Sequence, residues 1–295
     1  MSTESERPRS APRIVVTGAR GQLGRALVAL APGAVALGHG ELDITDPEAV
    51  AAALRPRDVV LNCAAYTAVD AAESDRGAAF AVNAIGPGVL AARCRTLQAR
   101  LIHVSTDYVF DGTGTRPYEP DDPTGPTGVY GESKLAGEQA VLRAHPDATI
   151  VRTAWVYTGD TGDFVATMRR LERERGTVTV VDDQIGSPTY APDLAAGLLD
   201  IVARRPDSPI LHATNSGTAS WFEVARAVFA GLGADPERVR PCTTEQFPRP
   251  ARRPAYSVLS DRAWVEAGLT PLRDWRAALS DALALVAGTA GSGAG

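Results

Sequence analysis

Arg13-Ile-Val-Val-Thr17 runs without a break into Gly18-Ala-Arg20-Gly21-Gln22-Leu23-Gly24 and then into the apolar stretch Arg25 to Leu30. A short β-branched run bounded by glycine reads as a strand buried on both faces of a parallel sheet. Glycines at this point serve a tight turn, let the backbone approach a pyrophosphate and let the next helix pack closely on the strand. The N-terminus of that helix adds partial positive charge. The stretch therefore predicts the first βα unit of a dinucleotide-binding sheet, with Gly18, Gly21 and Gly24 as its phosphate turn.

The same alternation continues outward. Ala34 to Leu37 is a second strand, Asp46-Pro47-Glu48 caps and opens a helix to about Leu54, and Asp58 to Asn62 is a third strand. Cys63-Ala64-Ala65-Tyr66-Thr67 keeps side chains small where a strand end would face the cofactor, and Asp70 to Arg95 is largely helical. Leu101 to Ser105 is a fourth strand, which delivers Ser105, Thr106 and Asp107 to the sheet edge where ligands of open α/β sheets bind. A Pro/Gly loop over 110–128 precedes a helix from about Tyr130 to Pro146, and Thr149 to Thr153 is a fifth strand. Beyond it the pattern loosens: helices over 164–175, 192–204, 220–230 and 272–286 alternate with short strands at 177–181 and 210–213. The prediction is an α/β chain in four parts. A Rossmann-like, doubly wound parallel sheet fills 13–153, a smaller mixed α/β and mainly substrate-binding lobe fills 154–287, and flexible tails lie at 1–12 and 288–295.

Composition narrows the partners. A net charge of −5 argues against nucleic acid or an anionic membrane surface, because phosphate binding wants a basic face. No apolar run approaches the roughly 20 residues of a membrane span, and Met1 to Pro12 is polar, unlike a signal peptide; a cytoplasmic protein is expected. Cys63, Cys94 and Cys242 are odd in number and widely spaced, so neither disulfides nor a zinc site is signalled, and no metal is expected.

Of the 30 Lys and Arg residues, 29 are arginine, and the one lysine, Lys134, stands four residues after Tyr130. With seven tyrosines in 295 residues, that spacing arises by chance roughly 2% of the time, so it is treated as a motif. On a helix the two side chains stack on one face. A phenol is a poor acid at neutral pH, whereas a ketone accepting a hydride needs a proton at the nascent alkoxide. An ammonium beside the ring would favour tyrosinate, lower the phenol's pKa and also grip a ribose. Thr106, or Ser105 beside it, would orient the carbonyl by a hydrogen bond. The second strand ends in Gly38-His39 with no acid for a ribose 2′-hydroxyl, and Arg20 could meet a 2′-phosphate, which favours NADPH, with NADH possible.

Seven stretches then carry a resemblance: Gly18 to Gly24, Asn62 to Asp70, Ser105 to Gly112, Val129 to Glu138, Arg152 to Tyr157, Asp183 to Thr189 and Arg249 to Pro254. In this order they resemble the dTDP-4-dehydrorhamnose reductases, extended short-chain dehydrogenase/reductases whose glycine spacing G-x-x-G-x-x-G this chain shares. The resemblance covers nearly all of 13–285. It implies reduction of the 4-keto group of a dTDP-linked 6-deoxyhexose by NAD(P)H, by a monomer or homodimer. It implies Tyr130 as proton donor, Lys134 as its partner and ribose ligand, and Thr106 with Asp107 on the substrate. Gly21, Gln22, Leu23, Asp43, Ile44, Ala65, Tyr66, Thr67 and Val104 match cofactor contacts, Asp43 and Ile44 beside the adenine. Trp155 would pack on substrate, and Arg252 with Arg253 would suit its diphosphate. Some members dimerise around magnesium held by glutamates, one of them on the first helix; Arg25 to Leu30 has no acid, so that metal is not expected here.

Two other readings stay open. A 4-ketoreductase of a different dTDP-deoxysugar would share these motifs, and regulatory subunits of methionine adenosyltransferase resemble the family without known need for turnover. A dehydratase is disfavoured, because Tyr108 stands where such enzymes carry an acid after Thr-Asp.

Overall fold

A computed structural model describes residues 12–160 and 162–291. β1 (Ile14–Thr17) lies between β2 (Val35–Leu37) and β3 (Val59–Asn62), and β4 (Arg100–Thr106) and β5 (Thr149–Thr153) extend the sheet beyond β3, every pair parallel. The chain goes outward from β1 to β2 and then returns across β1 to β3. The connection therefore reverses direction between β1 and β3, and a crevice opens there at the carboxyl ends of the strands.

α1 (Gln22–Leu30) and α2 (Pro47–Ala53) follow β1 and β2, with Asp46 capping α2 by accepting from the Glu48 and Ala49 amides. After α3 (Val69–Ala72), α4 (Arg76–Phe80), a π-helical turn (Ala81–Ile85) and α5 (Gly86–Thr96) form one rod. This 21-residue rod departs from the sequence reading, since by length and composition it could cross a membrane. Here it is wedged against the sheet and α6 (Val129–Ala144): Leu90, Ala91 and Cys94 meet Val141 of α6 and Val15, Val60, Leu101 and Ile150 of the strands in one buried cluster.

Beyond β5 come β6 (Val156–Tyr157), α7 (Phe164–Glu174), β7 (Val178–Val181), β8 (Ile185–Gly186) and β9 (Thr189–Tyr190), then α8 (Ala191–Arg204) and β10 (Ile210–His212). The sheet does not end near Thr153. β10 pairs with β5, giving the order β2-β1-β3-β4-β5-β10, and Leu194, Leu198 and Ile201 of α8 pack with Leu23 and Leu27 of α1 on the face opposite α5 and α6. The second lobe is completed by β11 (Ala219–Ser220), α9 (Trp221–Gly231), β12 (Val239–Cys242), α10 (Arg262–Glu266) and α11 (Trp275–Gly291). Its core gathers Val165, Met168, Val178, Val228, Phe229, Trp275 and Leu279. A capping box opens α9: the Glu223 amide donates to Ser220 Oγ at 3.1 Å, and the Ser220 amide to Glu223 Oε2 at 2.8 Å. α11 extends to Gly291, into the stretch expected as a tail, while the rest of the two expected tails, 1–11 and 292–295, falls outside the described residues.

The loop over 110–128 is held in place. Phe110 stacks on Tyr118 at 4.2 Å, and bridges join Thr113 to Tyr256 and Tyr118 to Leu259. Arg152 of β5 grips Glu138 of α6 through two bonds of 2.9 and 2.8 Å and donates to Pro120 O at 3.0 Å. Both side chains are 3% exposed, so this buried pair fixes α6 against the sheet and the loop at once. α6 is the helix that carries Tyr130 and Lys134.

Candidate active site

A cavity of about 820 Å³ runs along the carboxyl ends of β1, β3, β4 and β5 and out to the second lobe. At its β1 end the turn is built from absent side chains. Gly18 has φ +64°, and a Cβ there would lie 2.6 Å from Ala64 N; a Cβ on Gly24 would lie 2.3 Å from Gly18 O. No side chain caps α1, whose first turn therefore presents its N–H groups to the cavity. Such a cradle fits a pyrophosphate.

Opposite, the strand ends are tied by buried polar groups. Thr17 Oγ1 donates to Asn62 Oδ1 at 2.6 Å, and Asn62 Nδ2 meets His103 Nδ1 at 2.8 Å. Burial drives His103 well below its usual range, so it sits neutral between the strands. The segment Ala64 to Thr67 is held by Asn83 of the π turn: Asn83 Oδ1 accepts the Tyr66 amide at 2.8 Å, and Nδ2 donates to Tyr66 O and to Ser133 Oγ, each at 3.0 Å. Ser133 Oγ in turn donates to Tyr130 O at 2.7 Å. One buried asparagine thus fastens the predicted cofactor segment to the predicted catalytic helix. The extra backbone of the π turn positions it, and Gly137 of α6 allows the approach, because a Cβ there would lie 2.0 Å from Asn83 O.

At the inner end Tyr130, Lys134, Thr106 and Asp107 converge. Lys134 is 3% exposed, and its Nζ donates to Val104 O at 2.7 Å. Burial pushes its ammonium down to about 8, opposed by the Glu138 carboxylate one turn along. Thr106 Oγ1 donates to Asp107 Oδ1 at 2.9 Å and accepts the Tyr108 amide at 3.3 Å. Asp107, 2% exposed, is pushed up to about 6 by burial, with the Ser257 and Thr106 hydroxyls drawing it back. Tyr130 departs from expectation: burial pushes its phenol up to about 12, Thr106 opposes this through a hydrogen bond, and the Asp107 charge adds to it. The expected lowering by Lys134 is absent: desolvation of the phenol dominates, and only the Thr106 hydrogen bond opposes it. The ring of Tyr108 meets Tyr130 edge-on at 5.5 Å.

All the predicted cofactor residues, Gly18, Arg20, Gly21, Gln22, Leu23, Gly24, Asp43, Ile44, Ala64, Ala65, Tyr66, Thr67 and Val104, line this cavity, as do Ser105, Thr106, Asp107, Tyr130, Lys134 and Trp155. Trp155 adopts a left-handed φ of +48° and stacks on Trp221 at 3.6 Å and 8° between planes, with Phe164 against Trp221 at 4.5 Å. Trp221 carries no sequence signal of this place, because its context reads only as the start of a helix. Arg252 and Arg253 are not in the cavity wall. Arg252 is exposed, while Arg253 is drawn to Asp70 Oδ1 at 3.0 Å, and Asp70 also accepts the Ala251 amide at 3.2 Å. A second miss concerns the end of β2, where an acid does arrive: Glu41 folds back beside Gly38 and binds Arg20.

A family model described as the RmlD substrate binding domain matches residues 12–287. A dTDP-4-dehydrorhamnose reductase of Mycobacterium tuberculosis is 59% identical over 281 residues, 92% of either chain. This chain belongs to the dTDP-4-dehydrorhamnose reductase family. A Streptomyces niveus relative, named a dTDP-4-keto-6-deoxy-D-glucose reductase, is 49% identical over 282 residues, 93% of this chain and 97% of its own. The dTDP-4-dehydrorhamnose reductase of Bacillus anthracis, crystallised in complex with NADP, superposes with a TM-score of 0.87 at 36% identity, over 92% of this chain and 98% of that one. The doubly wound parallel sheet of this chain is thus shared with solved members of the family.

Proposed function

We propose that this chain is an NADPH-dependent reductase of the 4-keto group of a dTDP-4-keto-6-deoxyhexose, acting on dTDP-4-dehydro-L-rhamnose to give dTDP-L-rhamnose. The observation that carries the reading is the meeting of a buried, protonated Tyr130 with Thr106 and Lys134 at the inner end of a cavity whose outer end is a pyrophosphate cradle. NADPH, when bound, supplies the hydride. Gly18 to Gly24 and the first turn of α1 would hold its pyrophosphate, Ala64 to Thr67 and Val104 would line its path, and Lys134 would reach its ribose.

The chain's own residues do the rest. Thr106 orients the substrate carbonyl by donating to its oxygen, which draws the hydroxyl away from Asp107. Tyr130 keeps its proton at neutral pH because burial holds it there, and it releases that proton only to a base as strong as a nascent alkoxide. The tyrosinate left behind accepts from the newly formed hydroxyl and is supported by the positive charge of Lys134 one turn along α6. Trp155 and Trp221 form an apolar wall for the sugar, and water kept off that wall is water kept from the reacting centre. Arg252 and Arg253 carry no part of this reading, since neither lines the cavity and Arg253 is paired with Asp70. The reading carries with it a cytoplasmic setting and a monomer or homodimer.

The test is NADPH oxidation by the purified protein with dTDP-4-dehydro-L-rhamnose, followed by sugar analysis of the product. Tyr130→Phe should lower kcat about 10²- to 10⁴-fold. Normal turnover by that variant would sink the mechanism. The Streptomyces niveus relative favours a second reading, reduction of a different dTDP-4-keto-6-deoxyhexose, and the configuration of the new hydroxyl in the product separates the two.

A further inference from the structure

In a dinucleotide-binding sheet an acid at the end of the second strand holds the ribose 2′-hydroxyl, and an arginine nearby accommodates a 2′-phosphate. Here the strand ends in Gly38, and the carboxylate arrives from Glu41. A turn in which the Glu41 and Leu42 amides both donate to Gly38 O, at 3.1 and 3.0 Å, folds Glu41 back, so that its Oε2 accepts the Gly38 amide at 3.0 Å. The same carboxylate takes Arg20 through Nη2 and, at 3.4 Å, through Nε. Gly38 makes the room, since a Cβ there would lie 2.7 Å from Glu41 Oε2 and 2.9 Å from Arg20 Cδ. Arg20 and Gly38 line the cavity beside Asp43.

We propose that the Arg20–Glu41 pair sets the choice between a 2′-hydroxyl and a 2′-phosphate on the dinucleotide, with Glu41 the residue that holds the 2′-phosphate back. The inference rests on the dinucleotide reading of the cavity given above. An unpaired Arg20 would be a 2′-phosphate ligand. Paired, its guanidinium is already engaged, and a carboxylate lies against the group that a dianion would have to bind. A 2′-hydroxyl meets the opposite situation, an anchored acceptor with its charge balanced. A 2′-phosphate must draw Arg20 away from Glu41, and both side chains are exposed enough to separate, at 78% and 38%. The pair therefore admits both ligands and fixes their ratio.

The experiment is calorimetric titration of the full chain with 2′,5′-ADP and with 5′-AMP, which differ by the 2′-phosphate alone. Wild type, Glu41→Gln and Arg20→Ala are compared, none of which requires turnover. Glutamine still accepts the Gly38 amide, so the turn is kept while the charge is removed; equal Tm values check this. Glu41→Gln should tighten 2′,5′-ADP about fivefold or more and weaken 5′-AMP, while Arg20→Ala should weaken 2′,5′-ADP about tenfold. An unchanged ratio of the two affinities in Glu41→Gln overturns the proposal. If wild type binds neither ligand, the dinucleotide reading itself fails, and this inference falls with it.

Discussion

Replacing Lys134 by methionine should abolish turnover and yet leave the protein no less stable at neutral pH. The ammonium is 3% exposed and held at about 8 against an ordinary 10.5, a gap worth about 3 kcal/mol of disfavoured charge. Because the folded value is depressed, this contribution to stability is fully present above pH 10.5 and is lost as pH falls through 8. At pH 7 the wild type therefore carries almost the whole penalty. Methionine removes it, at the cost of a charged hydrogen bond to Val104 O worth about 1.5–3 kcal/mol. The variant should thus equal or exceed wild type by about 1 kcal/mol at pH 7, and wild type should regain about 2–3 kcal/mol on it by pH 10. Urea denaturation of both proteins at pH 7, 8.5 and 10 measures the difference, and midpoints at matched m-values report it directly. A stability difference that stays constant from pH 7 to pH 10 would refute the argument, because it would mean that the buried amine titrates alike in the folded and unfolded chains.

Asp107 gives the mirror case: its folded value is raised to about 6, so its contribution is fully present below the ordinary carboxylate value of 3.8 and is lost as pH rises through 6. Relative to Asp107→Asn, wild type should lose about 2–3 kcal/mol between pH 3.8 and 7, read by denaturation at both pH values; parallel profiles would show that the carboxyl is effectively solvated. Gly186→Ala places a Cβ 2.4 Å from Trp155 Cε2, and Trp155 is backed by Trp221 and has little room to yield. The expected result is a loss of about 1–3 kcal/mol with a raised KM and altered tryptophan fluorescence, and an unchanged KM would remove Trp155 from the substrate wall.

How much the sequence disclosed follows the range of the forces involved. The turn Gly18 to Gly24, the Asp46 and Ser220 caps and the i, i+4 pair Tyr130/Lys134 depend on neighbours within a few residues, and the structure has them where their spacing puts them. The protonation of Tyr130 runs against the sequence reading because it depends on burial, which the local pattern omits: Lys134 reaches across from α6 to Val104 O of β4, and the phenol is desolvated by what packs around it. Glu41 was in plain view, but only the fold-back of the 38–42 turn brings it to Arg20 and Gly38. Trp221 reaches Trp155 only through the packing of the second lobe, and Arg253 is drawn towards Asp70, an attraction between segments far apart in the chain. β10 looked like one more strand of the second lobe, since a three-residue apolar run carries no mark of which sheet it will join.

That strand has a consequence for how the protein is made. Synthesis runs from the N-terminus, and early domains usually fold as they emerge. In this chain the first sheet still lacks its outermost strand when Thr153 leaves the ribosome, and α8, which covers one of its faces, has yet to be translated. Until residues 210–212 arrive, β5 is an open edge with unpaired backbone groups, and Leu23, Leu27, Val16 and Leu61 lack the partners that bury them. The nucleotide half of the molecule is therefore completed by a piece of the other half, and the nascent chain must pass through a sticky interval of nearly sixty residues before its oldest part is finished.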